Sequence, residues 1–508
     1  GMSGDDITMI MKKEDLKLSD EDKVDIAMAA SGKKETSQKP VVKESEKESV
    51  IPPEVIFRKY DIRGIVGKSL TPEIVEKIGQ AIGSAAAEKG EKTLIVGRDA
   101  RLSGPELMSS LITGLQSAGR DVIDIGVVPT PVLYFATHHL QAKSGVMLTG
   151  SHNGPEYNGL KIVLDGNTLS EDGIVNLYQR IKTGDLVTGS GKLETAEIIP
   201  DYIRRISEDI PVALGSAYKL VVDCGNGVAG AVAPQLFKAL GHDVIELYCE
   251  LDGNFPNHHP DPSQPENMQP LIDKVRAEQA DLGFAFDGDG DRLGVVDSNG
   301  NIIWPDRQMM IFARDVLSRN QGAPIIFDVK CSSHLARIIE ESGGKPLMWK
   351  TGHSLIKGKM KELNAPLAGE MSGHIFFKER WYGFDDALYA GARLLEILMN
   401  SKVKPADFFA QIPDSVSTPE LKIDMPESEH QPFMQQLESG MSFENTTVIK
   451  VDGLRVEFSD GWGLIRPSNT TPALVARFEA ENQEALDRIR KLFRELITSL
   501  NPDLKVPF

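Results

Sequence analysis

Three cysteines in 508 residues, Cys224, Cys249 and Cys331, are too few and too scattered to staple a fold, and none stands beside another at zinc-site spacing. That usage fits a reducing compartment without structural disulfides. No apolar run approaches the roughly 18 residues that would cross a bilayer, and the first residues lack a basic segment followed by an apolar one, so a cytoplasmic enzyme is expected. Aromatics make up only 6% of the chain, which leaves little for a base-stacking surface. Positive charge is in deficit, 56 Lys plus Arg against 74 Asp plus Glu, giving a formal charge of -18 and a pI near 5.1. This balance excludes bulk attraction to nucleic acid or anionic membrane, and any anionic ligand must be held by a local group of cations.

The chain does have length and apolar content, 41% hydrophobic residues and 55.6 kDa, enough for several ordinary domains with sizeable cores. Residues 1–50 differ from the rest: 9 Lys and 12 acids, with no aromatic and no Cys, cannot bury enough apolar surface to offset ordering entropy. They read as a flexible extension, with a short amphipathic helix possible over 16–30. From Ile51 onward an internal repeat emerges. Three apolar runs, Thr93-Leu-Ile-Val-Gly-Arg-Asp99, Lys219-Leu-Val-Val-Asp-Cys-Gly225 and Pro324-Ile-Ile-Phe-Asp-Val-Lys330, are each followed by a helical pattern, as over 104–118. A second strand then runs into a polar loop: Thr149-Gly-Ser-His-Asn153, Asp287-Gly-Asp-Gly-Asp-Arg292 and Gly369-Glu-Met-Ser-Gly-His374. Strand, helix and strand in succession imply α/β layers whose ligands collect beyond the carboxyl ends of the strands. The expected divisions are 51–196, 197–301, 302–413 and 414–508. The Gly- and Thr-rich stretch 183–196 serves as a linker, and a C-terminal α+β domain of different design completes the chain.

Asp287, Asp289 and Asp291 alternate along a loop that opens directly from a buried strand, and the intervening glycines let the backbone curve until the carboxylates converge. Three like charges that close require a cation, and a hard divalent ion, Mg2+ by preference, suits a small all-oxygen set that leaves coordination positions free. The spacing is not that of an EF-hand, whose sixth and twelfth positions would fall on Arg292 and Ser298. Ser151, flanked by His152 and small residues, is either a turn-former or an exposed nucleophile, and it is not in a Gly-x-Ser-x-Gly elbow. Lys161 lies close by in sequence and could neutralise a phosphoryl group or move protons. Arg63, in Phe57-Arg-Lys-Tyr60-Asp-Ile-Arg63, offers a phosphate or carboxylate clamp, with a surface ion pair as its plainer reading. Arg466-Pro-Ser468-Asn469-Thr470-Thr471 gathers a guanidinium, three hydroxyls and an amide into six residues, the inventory of a phosphate grip or of a capped polar turn. Glu370 and Ser372 could read sugar hydroxyls, with His374 beside them and His353 in a second polar loop.

Found in this order, the serine loop, the Asp-Gly-Asp-Gly-Asp-Arg loop, the Gly-Glu-Met-Ser-Gly-His loop and the Arg-Pro-Ser-Asn-Thr loop make the chain, from residue 51 to 508, resemble the α-D-phosphohexomutases. The resemblance implies three related α/β domains with mixed sheets and a C-terminal α+β domain around a central cleft. It also implies Mg2+, and interconversion of hexose 1-phosphate and hexose 6-phosphate, mannose or glucose, through a hexose 1,6-bisphosphate. Carried over by motif, Ser151 is the phosphoryl carrier, and Asp287, Asp289 and Asp291 hold the metal together with an oxygen on Ser151. Arg63, His152, Lys161 and Arg292 surround the reacting group. Glu370 and Ser372 read the sugar, assisted by Tyr60, Lys330, His353 and His374, and Arg466, Ser468, Asn469 and Thr470 grip the distal phosphate. The family's glucosamine-phosphate members and a Mg2+-dependent sugar-phosphate phosphatase are the alternatives. No nucleic-acid or membrane partner is expected, and the chain should be a monomer or a weak homo-oligomer. Two features depart from the family pattern: Gly154 stands between Asn153 and Pro155 where many members have Pro directly, and the first 50 residues have no counterpart in the compact core.

Overall fold

In a computed structural model, residues 50–211, 217–469 and 471–508 are described; the possible helix over 16–30 and Thr470 lie outside the described residues. Val50–Phe508 forms one compact unit containing four sheets. In the first, Thr93–Arg98 is central, with Asp121–Val127 parallel on one side and Gly145–Leu148 parallel on the other. Tyr157–Leu164 then returns antiparallel beside Gly145–Leu148. The second sheet repeats this plan with Lys219–Asp223, Asp243–Leu247, Leu282–Phe286 and Leu293–Asp297. The third repeats it again with Pro324–Asp328, Lys345–Trp349, Leu367–Gly369 and Ile375–Phe377. The fourth sheet is antiparallel throughout along Leu454–Phe458, Gly461–Pro467 and Ala473–Ala480, backed by helices Glu427–Gly440 and Gln483–Leu500. The α/β class, the threefold repeat and the different last domain are as expected.

The structure differs from the expectation in detail. Each repeated unit holds one more strand between the two recognised in the sequence, namely Asp121–Val127, Asp243–Leu247 and Lys345–Trp349. These strands lie toward the outer side of their sheets and are only partly buried, so their polar residues mask the run of apolar ones. The stretch 183–196, read as a linker, contains the exposed strand Leu193–Thr195, which extends the first sheet beside Asp121–Val127. The central strands behave as apolar runs should. Leu282–Phe286 is buried at every position, and burying each such aliphatic or aromatic side chain contributes about 1.5–3 kcal/mol. One hydrophobic core runs through the first three units, joining Phe135, Tyr202, Phe237, Phe284, Phe377 and Tyr389, while the fourth domain has its own around Phe478 and Phe493. This shared core fixes the polar loops of the first three units relative to one another. Among the described residues no helix is long and apolar enough to cross a membrane.

Candidate active site

All three polar loops occupy one place in the repeated topology, the joint between the third strand and its antiparallel return, so the fold carries them to equivalent sheet ends. In the first unit, Gly145–Leu148 is buried at every position and leads into a turn where Ser151 takes a left-handed conformation, φ 53°. For a residue with a Cβ this costs roughly 1–2 kcal/mol, so the surroundings must enforce it. Ser151 N–H donates to Thr149 Oγ1 (2.8 Å), and Ser151 Oγ lies 3.3 Å from His152 Nδ1. Burial first, and then the cations Arg292, Arg63 and Lys161, holds His152 well below the usual imidazole range, as a neutral ring.

The carboxylate loop presses against this turn. A Cβ on Gly288 would stand 2.2 Å from the Ser151 carbonyl oxygen, so only glycine permits the approach, and Gly290 adopts φ 77°. Lys161 Nζ lies 2.6 Å from both Asp289 Oδ2 and Asp291 Oδ2, and Thr130 Oγ1 also donates to Asp289 Oδ2. Asp287 Oδ1 accepts from the backbone N–H groups of Asp291 and Arg292, each at 3.1 Å. One oxygen of each carboxylate, Asp287 Oδ2, Asp289 Oδ1 and Asp291 Oδ1, is buried without a hydrogen-bond partner. Burial and then the neighbouring carboxylates push Asp287 well up and Asp291 up. Asp289 is lowered, because Lys161 outweighs its burial. Lys161 itself, though burial opposes its charge, is raised by Asp289 and Asp291 and stays an ammonium. One ligand atom from each of Asp287, Asp289 and Asp291 fits within 4.8 Å of the others. Three orphaned oxygens in a like-charged buried set therefore fit a divalent cation with hard oxygen ligands.

Around this centre Arg63 is buried on strand Ile62–Ile65, donating from Nη1 to Asn153 Oδ1 (2.5 Å) and from Nη2 to Asp61. The plainer reading of a surface ion pair does not describe it: Arg63 is buried and ties the serine loop to the strand. Arg292 Nε donates to His374 Nε2 (3.1 Å) and stands 3.8 Å from Asp287. His374 Nδ1 lies 3.0 Å from Asp385, at an angle that leaves it short of a straight hydrogen bond, and Lys357 binds the other oxygen of Asp385 (2.9 Å). Asp291, His374 and Asp385 form a second potential cation set sharing one carboxylate with the first.

From there a continuous line of side chains reaches the last domain. The His353 ring lies 5.7 Å from His374 and 6.3 Å from Tyr60, and its buried Nδ1 has no hydrogen-bond partner. Glu370 Oε1 accepts from the Gly352 N–H (2.6 Å), whereas Ser372 is half-buried in a small cavity with Pro262, Leu293 and Trp304. Tyr60 donates to the Thr351 carbonyl (2.6 Å) and accepts from Asn469 Nδ2, so the first, third and fourth domains meet at one phenol. Arg466 Nε donates to Asp452 Oδ2 (3.1 Å), and its buried Nη2 forms an ion pair with the same oxygen at 3.1 Å. Ser468 Oγ accepts from the N–H and Oγ1 of Thr471. Lys330 pairs with Glu420 (2.5 Å). Thus the structure brings Tyr60, Arg63, Ser151, His152, Lys161, the three aspartates, Arg292, His353, Glu370, His374, Arg466 and Asn469 into one connected set.

Sequence reasoning missed several members. Thr130, Asp385, Asp452 and Glu420 are partners whose proximity is purely tertiary. Arg101 and Asp99, by contrast, close the buried strand Thr93–Arg98, the same signal that singled out Asp287.

Three copies of one α/β plan with a fourth antiparallel domain, and a serine turn pressed on a buried carboxylate triad, define a four-domain α/β enzyme. The alpha/beta/alpha domains I, II and III and the C-terminal domain of phosphoglucomutase/phosphomannomutase match residues 54–188, 200–300, 304–416 and 398–496. Phosphomannomutase/phosphoglucomutase of Pseudomonas aeruginosa is 56% identical over 456 residues, 90% of this chain and 98% of that one. Phosphoglucomutase of Neisseria gonorrhoeae is 53% identical over 89% of this chain and 98% of its own. A crystal structure of a phosphoglucomutase/phosphomannomutase family protein from Burkholderia thailandensis, 51% identical, superposes with a TM-score of 0.86 over 90% of this chain and all of that one. The chain belongs to the phosphoglucomutase/phosphomannomutase family.

Proposed function

We propose that the chain is an isomerase that interconverts hexose 1-phosphate and hexose 6-phosphate, of mannose, glucose or both, with Ser151 as the phosphoryl carrier. The observation that carries this reading is the left-handed Ser151 held against a carboxylate loop with three unpartnered oxygens, with Lys161, Arg63 and Arg292 around it. Phosphoryl transfer proceeds through a loose transition state, so positioning and charge neutralisation supply most of the catalysis. Asp287, Asp289 and Asp291 would hold Mg2+, which when bound supplies Lewis-acid charge neutralisation beside Ser151.

In the forward half, the P–O bond to Ser151 Oγ breaks as one forms to the free sugar hydroxyl, leaving Ser151 as an alcohol and the sugar as a 1,6-bisphosphate. The hydroxyl's proton passes to a neutral base, for which His152, 3.3 Å from Ser151 Oγ, is suited, and the same ring returns it to the serine oxygen. Lys161 is pinned as a cation between two carboxylates and neutralises charge instead of accepting a proton. In the return half the phosphoryl at the opposite end of the sugar goes to Ser151 Oγ. One distal grip must therefore accept either isomer's phosphate. Arg466, paired with Asp452, would supply it together with Ser468, Asn469 and Thr470 from the same loop, while Lys330, His353, Glu370 and Ser372 would face the sugar between. Tyr60, bonded to Asn469 and to Thr351, holds that loop over the first domain and keeps water out, since water would hydrolyse the carrier.

The test is product analysis with mannose 1-phosphate, Mg2+ and a trace of hexose 1,6-bisphosphate. Mannose 6-phosphate is expected; inorganic phosphate in its place would make the chain a phosphatase.

A further inference from the structure

Against the backbone of the serine loop lies a fully buried guanidinium that the reaction scheme does not use. Arg101 is 1% exposed, and all five of its side-chain N–H groups are taken. Nε donates to Asp99 Oδ2 (3.0 Å), Nη1 to the carbonyls of Gly154 (2.5 Å) and Tyr157 (2.9 Å), and Nη2 to those of Ser151 (2.9 Å) and Asn153 (2.7 Å). Four carbonyls between Ser151 and Tyr157 thus converge on one fork, an arrangement an ammonium, with three donors on one atom, cannot reproduce. Asp99 extends the cluster: its Oδ2 accepts from Thr149 Oγ1 (2.7 Å), and Thr149 Oγ1 accepts the Ser151 N–H. The backbone of Ser151 is therefore gripped on both sides, its N–H through Thr149 and its carbonyl by Arg101.

The second unit seals this grip. The Phe255 ring stands 5.2 Å from Arg101 Cζ, and Gly253 lies so close that a Cβ there would be 2.9 Å from Arg101 Cα. On the loop side a Cβ on Gly150 would be 2.3 Å from Arg101 Cζ. The Ser151 carbonyl that Arg101 holds is also the atom against which Gly288 of the carboxylate loop is pressed.

We propose that Arg101, with Asp99 and Thr149, is a positioning device for the phosphoryl transfer: it holds Ser151 in its left-handed conformation and sets the approach of Ser151 to the carboxylate loop. The proposal rests on the reading of Ser151 as the phosphoryl carrier. Two variants of the full chain test it, Arg101→Lys and Thr149→Val, the second nearly isosteric and removing only the hydroxyl relay. Each is assayed for conversion of glucose 1-phosphate with Mg2+ and bisphosphate, and for amide hydrogen exchange over residues 149–157. Because a misplacement of about 1 Å costs about 100-fold, kcat should fall about 100-fold in Arg101→Lys and about tenfold in Thr149→Val, with KM within about threefold. Exchange should rise over 149–157 while strands Thr93–Arg98 and Gly145–Leu148 keep wild-type protection. A wild-type kcat in Thr149→Val overturns the proposal, as does an exchange increase spread over the whole first sheet, which marks a folding role alone. Should Arg101→Lys not fold, Thr149→Val decides by itself. If the wild-type chain turns over neither glucose 1-phosphate nor mannose 1-phosphate, the isomerase reading fails separately. The exchange pattern then judges the positioning: a rise confined to 149–157 upholds it, and a uniform or absent rise refutes it.

Discussion

The two ends of the candidate site are built differently. At the reacting end, the serine and carboxylate loops issue from buried strands of the first two units, are clamped by Lys161, Thr130 and backbone N–H groups, and touch through glycine. At the distal end, Arg466 and Asn469 sit on a domain with a separate core, joined to the rest of the site through Tyr60, Thr351 and Asp452. The first end is a fixed assembly and the second a clasp. That division suits the proposed reaction, whose chemistry would always happen at one serine while the ligand presented first one phosphate and then the other: precision would belong to the reacting end, and tolerance to the grip.

Substitutions should separate the two ends. The largest effect is expected at Ser151→Ala, which removes the only proposed carrier: turnover should fall by several orders of magnitude while isothermal titration still shows hexose phosphate binding, and retained turnover would erase the distinction. Next, Asp289→Asn takes a charge from the set and leaves Lys161 with one carboxylate. Mg2+ affinity should drop at least about 100-fold, the upper end of what outer-shell losses cost at metal sites, measured by Mg2+ titration of activity and of heat. Arg466→Ala should act on the other parameter. Losing charge-assisted hydrogen bonds of about 1.5–3 kcal/mol raises KM about 10- to 150-fold with a smaller change in kcat, and an unchanged KM would remove Arg466 from the grip.

The smallest effect concerns neither end. His242 in the second unit stacks on Tyr218 and accepts the Tyr218 N–H at Nδ1, and burial lowers its pKa to about 4. A folded-state value below the unfolded one near 6.5 means that the unfolded chain takes up the proton first. Its share of stability is therefore complete above about pH 6.5 and is lost as pH falls toward 4. Chemical denaturation of wild type and His242→Gln across that window should show the wild-type stability falling more steeply, and parallel curves would remove this contribution.

Legibility in the sequence followed the same division. The reacting loops stood out because a run such as Leu282–Phe286 is apolar at every position and then turns abruptly to carboxylates, a contrast local to ten residues. The edge strands did not: Asp243–Leu247 mixes acids with aliphatics because one side of it meets solvent, and Leu193–Thr195 is exposed throughout. Within the site, Ser151 and Asp287 are visible as motif members, but nothing near Arg466 in sequence announces that Tyr60, some 400 residues earlier, will receive Asn469. Contacts made only by tertiary closure carry no local signal. Arg101 lies between these cases: its place after a buried strand was readable, but its four carbonyl partners were not.

The central claim is that Ser151 gives its phosphoryl group to one end of the sugar and takes another back from the opposite end of the same molecule. Chain carrying isotopically labelled phosphate on Ser151, mixed for a single turnover with glucose 1-phosphate, tests it directly. The label should leave the protein and appear at carbon 6 of the hexose phosphate, in bisphosphate and then in glucose 6-phosphate. Label that stays on the protein while glucose 6-phosphate accumulates, or that is released only as inorganic phosphate, would contradict the account.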